Sequence, residues 1–149
     1  MTALVENKKV HFDYEILESF EAGLELEGQE VKSLRSKHGS ITGARVIARG
    51  NEVYIVGMDI PPYQPKNTPA SYDPQRTRKL LLSKSEIARL AGKGEEGGLT
   101  IIPIRVYTKG RFIKAEIALA RGKKKYDKRE KIRARDIERE VGRTLKGKS

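Results

Sequence analysis

The chain has 149 residues, no cysteine and a formal net charge of +11 at pH 7. This length suits one domain with a modest core, the lack of cysteine excludes disulfides and thiolate metal ligands, and two histidines are too few for a histidine zinc site. Without a signal-peptide stretch or a run of about 20 apolar residues, we expect a cytoplasmic protein with no structural metal and no cofactor.

Predicted strands follow from period-two alternation in the first 120 residues. They are FDYEI, GLELEG, GARVIAR, EVYIVGM, LTIIPIRVY and FIKAEIAL. Gly50 and Asn51 predict a hairpin turn between GARVIAR and EVYIVGM. Pro103 is expected at a sheet edge or a bulge, because proline cannot donate to a strand ladder.

Two segments between the predicted strands carry helical spacing. GQEVKSLRSKHG places its apolar residues on one face, and Gly39 is expected to end this helix. SKSEIARLAG has Ser83 three residues before Glu86, which is the capping-box pattern, and Gly92 is expected to end it.

These elements predict a mainly β fold with two or three short helices. The arrangement that fits best is a small, partly open antiparallel β-barrel of the oligonucleotide-binding type, and an antiparallel sandwich is the alternative. We expect residues 1–122 to form this RNA-binding barrel and residues 123–149 to form a basic C-terminal tail.

The positive charge is concentrated at the end of the chain. Residues 121–149 hold thirteen Lys and Arg against five Asp and Glu, a net +8, whereas residues 1–120 hold eighteen against fifteen, a net +3. Such a segment predicts a polyanionic partner, either a nucleic acid or an anionic membrane surface. A membrane-surface helix needs a strong apolar face, which this segment lacks, so a nucleic acid is favoured and no membrane contact is expected.

The chain shows no pattern typical of catalysis. GKGEEGG lacks the ending of a phosphate-binding loop, and there is no cysteine nucleophile and no HExxH motif. A binding function is therefore favoured over an enzyme. The alternatives are an RNA-modifying enzyme that uses the barrel to dock its substrate, and a general single-strand binder, although the body offers few aromatic residues that look exposed for stacking.

The stretch DPQRTRKLLLS places Arg76, Arg78 and Lys79 beside three leucines. Basic side chains next to a short apolar surface can bind an RNA backbone while an unstacked base packs alongside. The alternative is a surface turn that leads into a core strand, with the leucines in the core. Lys8 and Lys9 add charge near the start, which solvation alone also explains.

Four motifs in the chain resemble the SmpB family of SsrA-binding proteins. They are NKKVHFDY, FEAGLELEGQEVKSLR, DPQRTRKLLLSKSEI and LARGKKKYDKRE, in this order over residues 7–135. The resemblance implies an oligonucleotide-binding-type barrel that binds the tRNA-like domain of transfer-messenger RNA. It also implies delivery of this RNA to stalled ribosomes for trans-translation, which rescues the ribosome and tags the incomplete polypeptide. We expect the protein to act as a monomer.

The resemblance also implies RNA-contacting residues. Glu21 matches an RNA-contacting glutamate, Leu81 and Ser83 match the contacts after the RKL run, and Asn7 matches the asparagine that opens the first motif. Charge alone would make Glu21 a solvated strand residue, but a carboxylate can accept hydrogen bonds from base amino groups or a ribose hydroxyl. The full predicted set is Asn7, Lys8, Lys9, Glu21, Arg76, Arg78, Lys79, Leu81 and Ser83.

The polar tail is expected to be disordered when free and helical when bound, because it cannot offset its ordering entropy alone. On a helix that turns about 100° per residue, seven of its basic residues fall within an arc of roughly 120°: Lys125, Lys128, Arg129, Arg135, Arg139, Arg143 and Lys146. The resemblance implies that this tail enters the decoding centre and mRNA channel of the small ribosomal subunit; the alternative is a tail that only aids solubility. The predicted tail contacts are Lys123, Lys124, Tyr126, Asp127, Lys128, Arg129, Arg135, Arg139 and Arg143.

Overall fold

The computed structural model describes residues 2–94 and 96–123. The strands of this part are β1 (Thr2–Glu6), β2 (Tyr14–Leu24), β3 (Arg45–Arg49), β4 (Glu52–Val56), β5 (Arg78–Leu81), β6 (Leu99–Lys109) and β7 (Phe112–Gly122). The α-helices are α1 (Val10–Asp13), α2 (Gly28–Arg35) and α3 (Lys84–Gly94), and a short 3-10 turn covers Pro65–Asn67. None of the helices in these two ranges is long and apolar enough to cross a membrane.

Six of the strands close into a ring. The order β6-β3-β4-β5-β2-β7 returns to β6 through β6–β7 pairing, and β1 pairs with the second half of β6. Every pair is antiparallel. Strand pairing in the ring is least extensive at two places. β3 and β6 share one register pair, and β2 and β5 share two. This arrangement confirms the predicted mainly β, partly open antiparallel barrel.

Alternate residues of the strands fill the inside of the ring. In β7 the inward positions are Ile113, Ala115, Ile117 and Leu119, all buried as the period-two pattern predicts. Leu34 of α2 and Leu90 of α3 join the same core and are fully buried. The intervening strand positions are left on the outer surface of the ring.

Two predicted local features are confirmed. Gly50 and Asn51 connect β3 and β4, with Arg49 paired to Glu52 and Gly50 at a φ of 62° that glycine adopts without strain. Pro103 lies at a bulge, because the β6–β7 register shifts immediately after it. Both features depend only on local backbone chemistry.

The predicted end of the first helix was wrong. α2 ends at Arg35, and Lys37 adopts a left-handed φ of 60° while its amide donates to the Leu34 carbonyl at 2.8 Å. Gly39 has a packing role instead, since a Cβ at this position would lie 2.5 Å from Leu34 Cδ2. The second helix likewise continues past the predicted stop at Gly92.

The first two predicted strands also differ from the structure. Phe12 lies in the short helix α1, and β2 begins only at Tyr14 and ends at Leu24, so most of GLELEG is outside the sheet. The reason for the helix is tertiary, because α1 buries Val10 against Ile102 and other apolar residues on the outside of the ring.

Candidate RNA interface

The outer surface of four neighbouring strands carries several of the predicted contact residues. Register pairing places Leu81 of β5 opposite Gly23, Gly23 opposite Lys114 of β7, and Lys114 opposite Tyr107 of β6. Because directly paired residues project on the same side of a sheet, these positions form one row. We call this surface the outer face, and its residues are Glu21, Gly23, Lys79, Leu81, Arg105, Tyr107, Lys109, Lys114 and Glu116.

Glu21 lies near the centre of the outer face. Its carboxylate accepts hydrogen bonds from the Tyr107 hydroxyl and from the Lys109 ammonium, the latter with an N–O distance of 3.0 Å. These two bonds, with Tyr107 the larger cause, hold the pKa of Glu21 below its ordinary value. The side chain is 40 % exposed, so the ionised carboxylate keeps lone pairs that can accept further hydrogen bonds from RNA.

Tyr107 and Arg105 of β6 support this carboxylate. Burial first, and then the hydrogen bond to Glu21, raise the pKa of Tyr107 to about 12, so its hydroxyl stays protonated to a higher pH than that of an ordinary tyrosine. The Arg105 guanidinium lies 4.9 Å from the centroid of the Tyr107 ring and 3.2 Å from a carboxylate oxygen of Glu116. The orientation of Glu21 is therefore set before any ligand arrives.

Leu81 provides an apolar surface beside the carboxylate. It is half exposed and lies across Gly23, where a Cβ would be 3.2 Å from Leu81 Cβ. Its neighbour Leu80 is buried in the ring, and Leu82 packs against the core at its edge. The core interpretation of the three leucines is therefore confirmed for Leu80, whereas Leu81 remains available to a ligand.

Lys79 of β5 links the outer face to the neighbouring strand β4 through Glu52. Its ammonium lies 3.1 Å from a carboxylate oxygen of Glu52, which also accepts a hydrogen bond from the Tyr54 hydroxyl. The bond from Tyr54 first, and then that from Lys79, lower the pKa of Glu52, and the same contact raises the pKa of Lys79. The Lys79 ammonium is thus a charged and oriented donor, and it can exchange its Glu52 partner for an RNA phosphate.

Asn7, Lys8 and Lys9 form the turn between β1 and α1. The Asn7 amide donates to the Ile104 carbonyl at 2.9 Å, and the Asn7 side-chain oxygen accepts from the Lys9 amide at 3.3 Å. A surface depression of about 290 Å³ is lined by Asn7 and Lys8 together with Arg105 and Glu116. This depression joins the turn to the outer face.

Ser83 follows β5 and caps α3. Its hydroxyl accepts from the Glu86 amide at 3.3 Å, while the Ser83 amide donates to the Glu86 carboxylate at 3.1 Å. The predicted capping box is confirmed. A contact between Ser83 and RNA stays a prediction, and it would have to share a hydroxyl that already stabilises the helix.

Arg78, which the sequence placed among the RNA contacts, lies in the core instead. Its side chain is 0 % exposed, because β5 directs Arg78 and Leu80 into the ring and Lys79 and Leu81 out of it. The guanidinium donates to a Glu30 carboxylate oxygen at 2.6 Å, to the Met58 carbonyl at 2.7 Å and to the Pro74 carbonyl at 3.0 Å. It is therefore satisfied by protein groups and enclosed away from solvent.

Arg76 is held by the same carboxylate. Its Nη2 lies 2.6 Å from the other oxygen of Glu30, which also accepts from the Glu27 amide at 2.9 Å. Burial alone would raise the pKa of Glu30, but the hydrogen bonds from Arg76, the Glu27 amide and Arg78 together bring it below its ordinary value. We call Glu30, Arg76 and Arg78 the buried cluster; it binds the loop after β4 to α2, and neither arginine joins the outer face.

Several residues of the outer face were not singled out in the sequence. Alternation in FIKAEIAL placed Lys114 and Glu116 outward, but only the β6–β7 register brings Arg105, Tyr107 and Lys109 beside them. The same alternation could have identified Phe112 as an exposed aromatic residue, since it precedes the inward Ile113.

One residue of the predicted tail belongs to the described part of the chain. The Lys123 amide donates to the Asp13 carbonyl at 2.9 Å, and its ammonium donates to the His11 carbonyl at 2.8 Å. The other predicted tail contacts lie outside the described residues, as do the tail's expected disorder and basic helical face. They are Lys124, Tyr126, Asp127, Lys128, Arg129, Arg135, Arg139 and Arg143.

Comparison with known proteins decides the family. A family model described as SmpB protein matches residues 4–147. The chain belongs to the SmpB family. The resemblance carried by the four sequence motifs is thereby confirmed.

Relatives of similar length support this assignment. An SsrA-binding protein of Azoarcus sp. (strain BH72) is 50 % identical over 148 residues, which cover 99 % of each chain. An SsrA-binding protein of Thermosipho africanus (strain TCF52B) is 47 % identical over 147 residues, which cover 98 % of each chain. A solved structure titled "tmRNA-SmpB: a journey to the center of the bacterial ribosome" matches with a TM-score of 0.68 and 44 % identity, and the match covers 86 % of this chain and 93 % of that one.

Proposed function

We propose that this protein binds the tRNA-like domain of transfer-messenger RNA through its outer face and delivers the RNA to stalled ribosomes for trans-translation. Family membership supports this function, since the relatives are named SsrA-binding proteins and the matched structure is titled for tmRNA-SmpB and the bacterial ribosome. The observation that carries the proposal in this chain is the outer face, where an ionised acceptor, an exposed apolar side chain and oriented cations lie together.

Each part of the outer face has a role in this proposal. The free lone pairs of Glu21 accept hydrogen bonds from base amino groups or a ribose hydroxyl, and Leu81 packs against an unstacked base. Lys79 and Lys109 exchange their carboxylate partners for RNA phosphates, which makes binding depend on salt. The depression beside Asn7 and Lys8 lies at one end of the outer face and extends the contact.

Sequencing of the RNA that co-purifies with the protein from native cells tests the proposal most directly. We expect transfer-messenger RNA to be enriched, and in solution we expect the isolated tRNA-like domain to bind more tightly than an unstructured oligonucleotide of equal length. Equal affinity for the two RNAs would instead support a general single-strand binder.

The delivery step is assigned to the tail. Residues 124–149 hold eleven Lys and Arg against five Asp and Glu, a net +6. A truncation after Lys123 keeps the two hydrogen bonds of Lys123 to the α1 region and removes this charge. We expect the truncated protein to retain specific binding of the tRNA-like domain with weaker salt dependence, and to fail in tagging on stalled ribosomes. Unimpaired tagging would contradict a decoding-centre role.

A one-residue insertion after Lys131 separates a helical tail from a flexible polycation. It would rotate Arg135, Arg139 and Arg143 by about 100° relative to Lys128 without changing the net charge. We expect near-normal RNA affinity and a marked defect in ribosome rescue. Normal rescue would leave electrostatic attraction as the tail's only contribution.

The proposed function is one of binding and needs no turnover. It places the protein in the cytoplasm, acting as a monomer on two RNA partners. Incubation with labelled RNA and common cofactors tests the RNA-modifying alternative: a changed RNA would favour that enzyme, and unchanged RNA is the expected result.

A further inference from the structure

We propose that the end of the β6–β7 hairpin stacks an unpaired RNA base on Phe112; the proposal rests on the proposed function for the class of partner. Phe112 is 62 % exposed, more than any other large hydrophobic side chain in the described part of the chain. An aromatic ring left in water on a rigid strand is a common element of single-stranded RNA contacts, because every base can stack on it.

The hairpin presents this ring at its tip. Lys109 and Phe112 form the last register pair of β6 and β7, and Gly110 and Arg111 make the turn with Gly110 at a φ of 61°. The turn is tied to the body by the Arg35 guanidinium of α2, which donates to the Arg111 carbonyl at 3.1 Å. The ring is therefore held on an ordered β-hairpin, which lowers the entropy cost of stacking.

Cations surround the ring. The Lys114 ammonium lies 5.7 Å from the centroid of the Phe112 ring, and Lys109, Arg111 and Arg35 are exposed around the same turn. Lys109 is paired with Glu21, while the described residues provide no ion-pair partner for Arg111 or Lys114. The charge of Lys114 also acts on Glu21, so the hairpin tip combines an aromatic platform with a local excess of positive charge, which matches the base and phosphate of one nucleotide.

The hairpin tip is continuous with the outer face. Lys109 contacts Glu21, and Lys114 lies in the row that runs from Leu81 to Tyr107. A strand of RNA whose backbone follows this row would bring one base to Glu21 and Leu81 and another to Phe112. An acidic protein segment could satisfy the charge, but it would make no use of a flat ring with a cation over it, so RNA is the favoured occupant.

The test uses the absence of tryptophan from the chain. Phe112→Trp introduces the chain's single tryptophan at an exposed site, where it can be excited selectively over the six tyrosines, and stacking of a base on the indole quenches its emission. The variant is titrated with the tRNA-like domain of transfer-messenger RNA and, separately, with an unstructured RNA oligonucleotide of mixed sequence. We expect quenching by both RNAs, reversed by added salt.

Affinity measurements separate stacking from simple apolar contact. Phe112→Ala is expected to weaken binding of the tRNA-like domain roughly tenfold. Phe112→Leu should be similarly weak, because it restores apolar area without a ring, whereas Phe112→Trp should bind like the parent. Tyr63→Ala is the matched control, since Tyr63 is an exposed aromatic residue in the loop after β4, and its loss should leave affinity unchanged.

The outcomes distinguish this proposal from the proposed function. If the parent binds the tRNA-like domain while Phe112→Ala binds equally well and the tryptophan emission does not change, stacking is overturned and the function stands. If the parent shows no preference for the tRNA-like domain but the oligonucleotide quenches the tryptophan, the function fails and stacking stands. Full affinity of Phe112→Leu would also overturn stacking in favour of a general apolar contact.

Discussion

The buried cluster and the outer face are built from the same kinds of residue but differ in their exposure to solvent. Glu30 and Glu21 are both carboxylates with a lowered pKa and a cation within 3.0 Å. Glu30 is 1 % exposed and its two oxygens are shared by Arg76, Arg78 and the Glu27 amide, whereas Glu21 is 40 % exposed and has two donors. Access to the remaining lone pairs, and not residue type, separates an ion pair that is closed to ligands from one that is open to them.

Loss of one ion-pair partner should cost more folding stability in the buried cluster than on the outer face. Removal of one partner of a buried pair leaves an uncompensated charge in the core, which costs several kcal/mol. An exposed pair adds little to stability, because water solvates whichever partner remains. Substitutions in the buried cluster should therefore change folding, and substitutions on the outer face should change RNA binding.

The largest effect is expected from Arg78→Ala. It leaves Glu30 without its fully buried partner and should lower the free energy of unfolding by about 3–5 kcal/mol. Urea denaturation measures this loss, and Arg76→Ala, which removes a partly exposed guanidinium from the same carboxylate, is the control with a smaller expected effect. An Arg78→Ala protein with parental stability and weakened RNA binding would reverse the roles given to the two regions.

Acid should destabilise the protein through Glu30 more than through Glu21. Both carboxyls have a lowered pKa in the folded state, so the stability they contribute is fully present above their ordinary value of 4.5 and is lost as the pH falls through the folded-state pKa. The free energy of unfolding should therefore decline below about pH 4.5. Urea denaturation at a series of pH values should show a shallower decline for Glu30→Gln, and little change in slope for Glu21→Gln.

A change on the outer face should weaken RNA binding without loss of stability. Glu21→Gln removes the charge from the central acceptor and should raise the dissociation constant for the tRNA-like domain about tenfold, with the free energy of unfolding almost unchanged. Fluorescence titration and urea denaturation measure the two quantities. Glu15→Gln, an exposed position near the other end of β2, is the matched control and should bind normally.

If Glu21→Gln binds RNA as well as the control Glu15→Gln, Glu21 is not part of the RNA interface. Tyr107→Phe offers an independent check, because it deletes the hydroxyl that orients Glu21 and leaves the carboxylate in place. A loss of affinity smaller than that of Glu21→Gln is expected.

The smallest effect is expected at Gly23. An added Cβ would meet Leu81 Cβ at 3.2 Å, so Gly23→Ala should shift the exposed leucine by a few tenths of an ångström. We expect roughly two- to threefold weaker RNA binding, because a half-exposed side chain can give way with little strain. Gly28→Ala is the control, since a Cβ there meets nothing within 4 Å, and its RNA affinity should match that of the parent.

Short-range chemistry in the sequence was sufficient for much of the fold. The capping box of Ser83 and Glu86 and the hairpin turn at Gly50 each depend on residues at most three apart. Alternation in FIKAEIAL identified a half-buried strand for the same reason, because successive side chains of a strand must point to opposite faces. The motifs of the SmpB family then indicated the class of partner.

Only the tertiary structure decided which charged residues are accessible to a ligand such as RNA. The bonds from Arg78 to Glu30 and from Tyr107 to Glu21 join residues 48 and 86 positions apart. Arginine beside leucine on β5 is compatible with a surface or a buried position, and the choice depended on a carboxylate that α2 brings into the ring. Strand register and burial are properties of the assembled sheet, so no local pattern contains them.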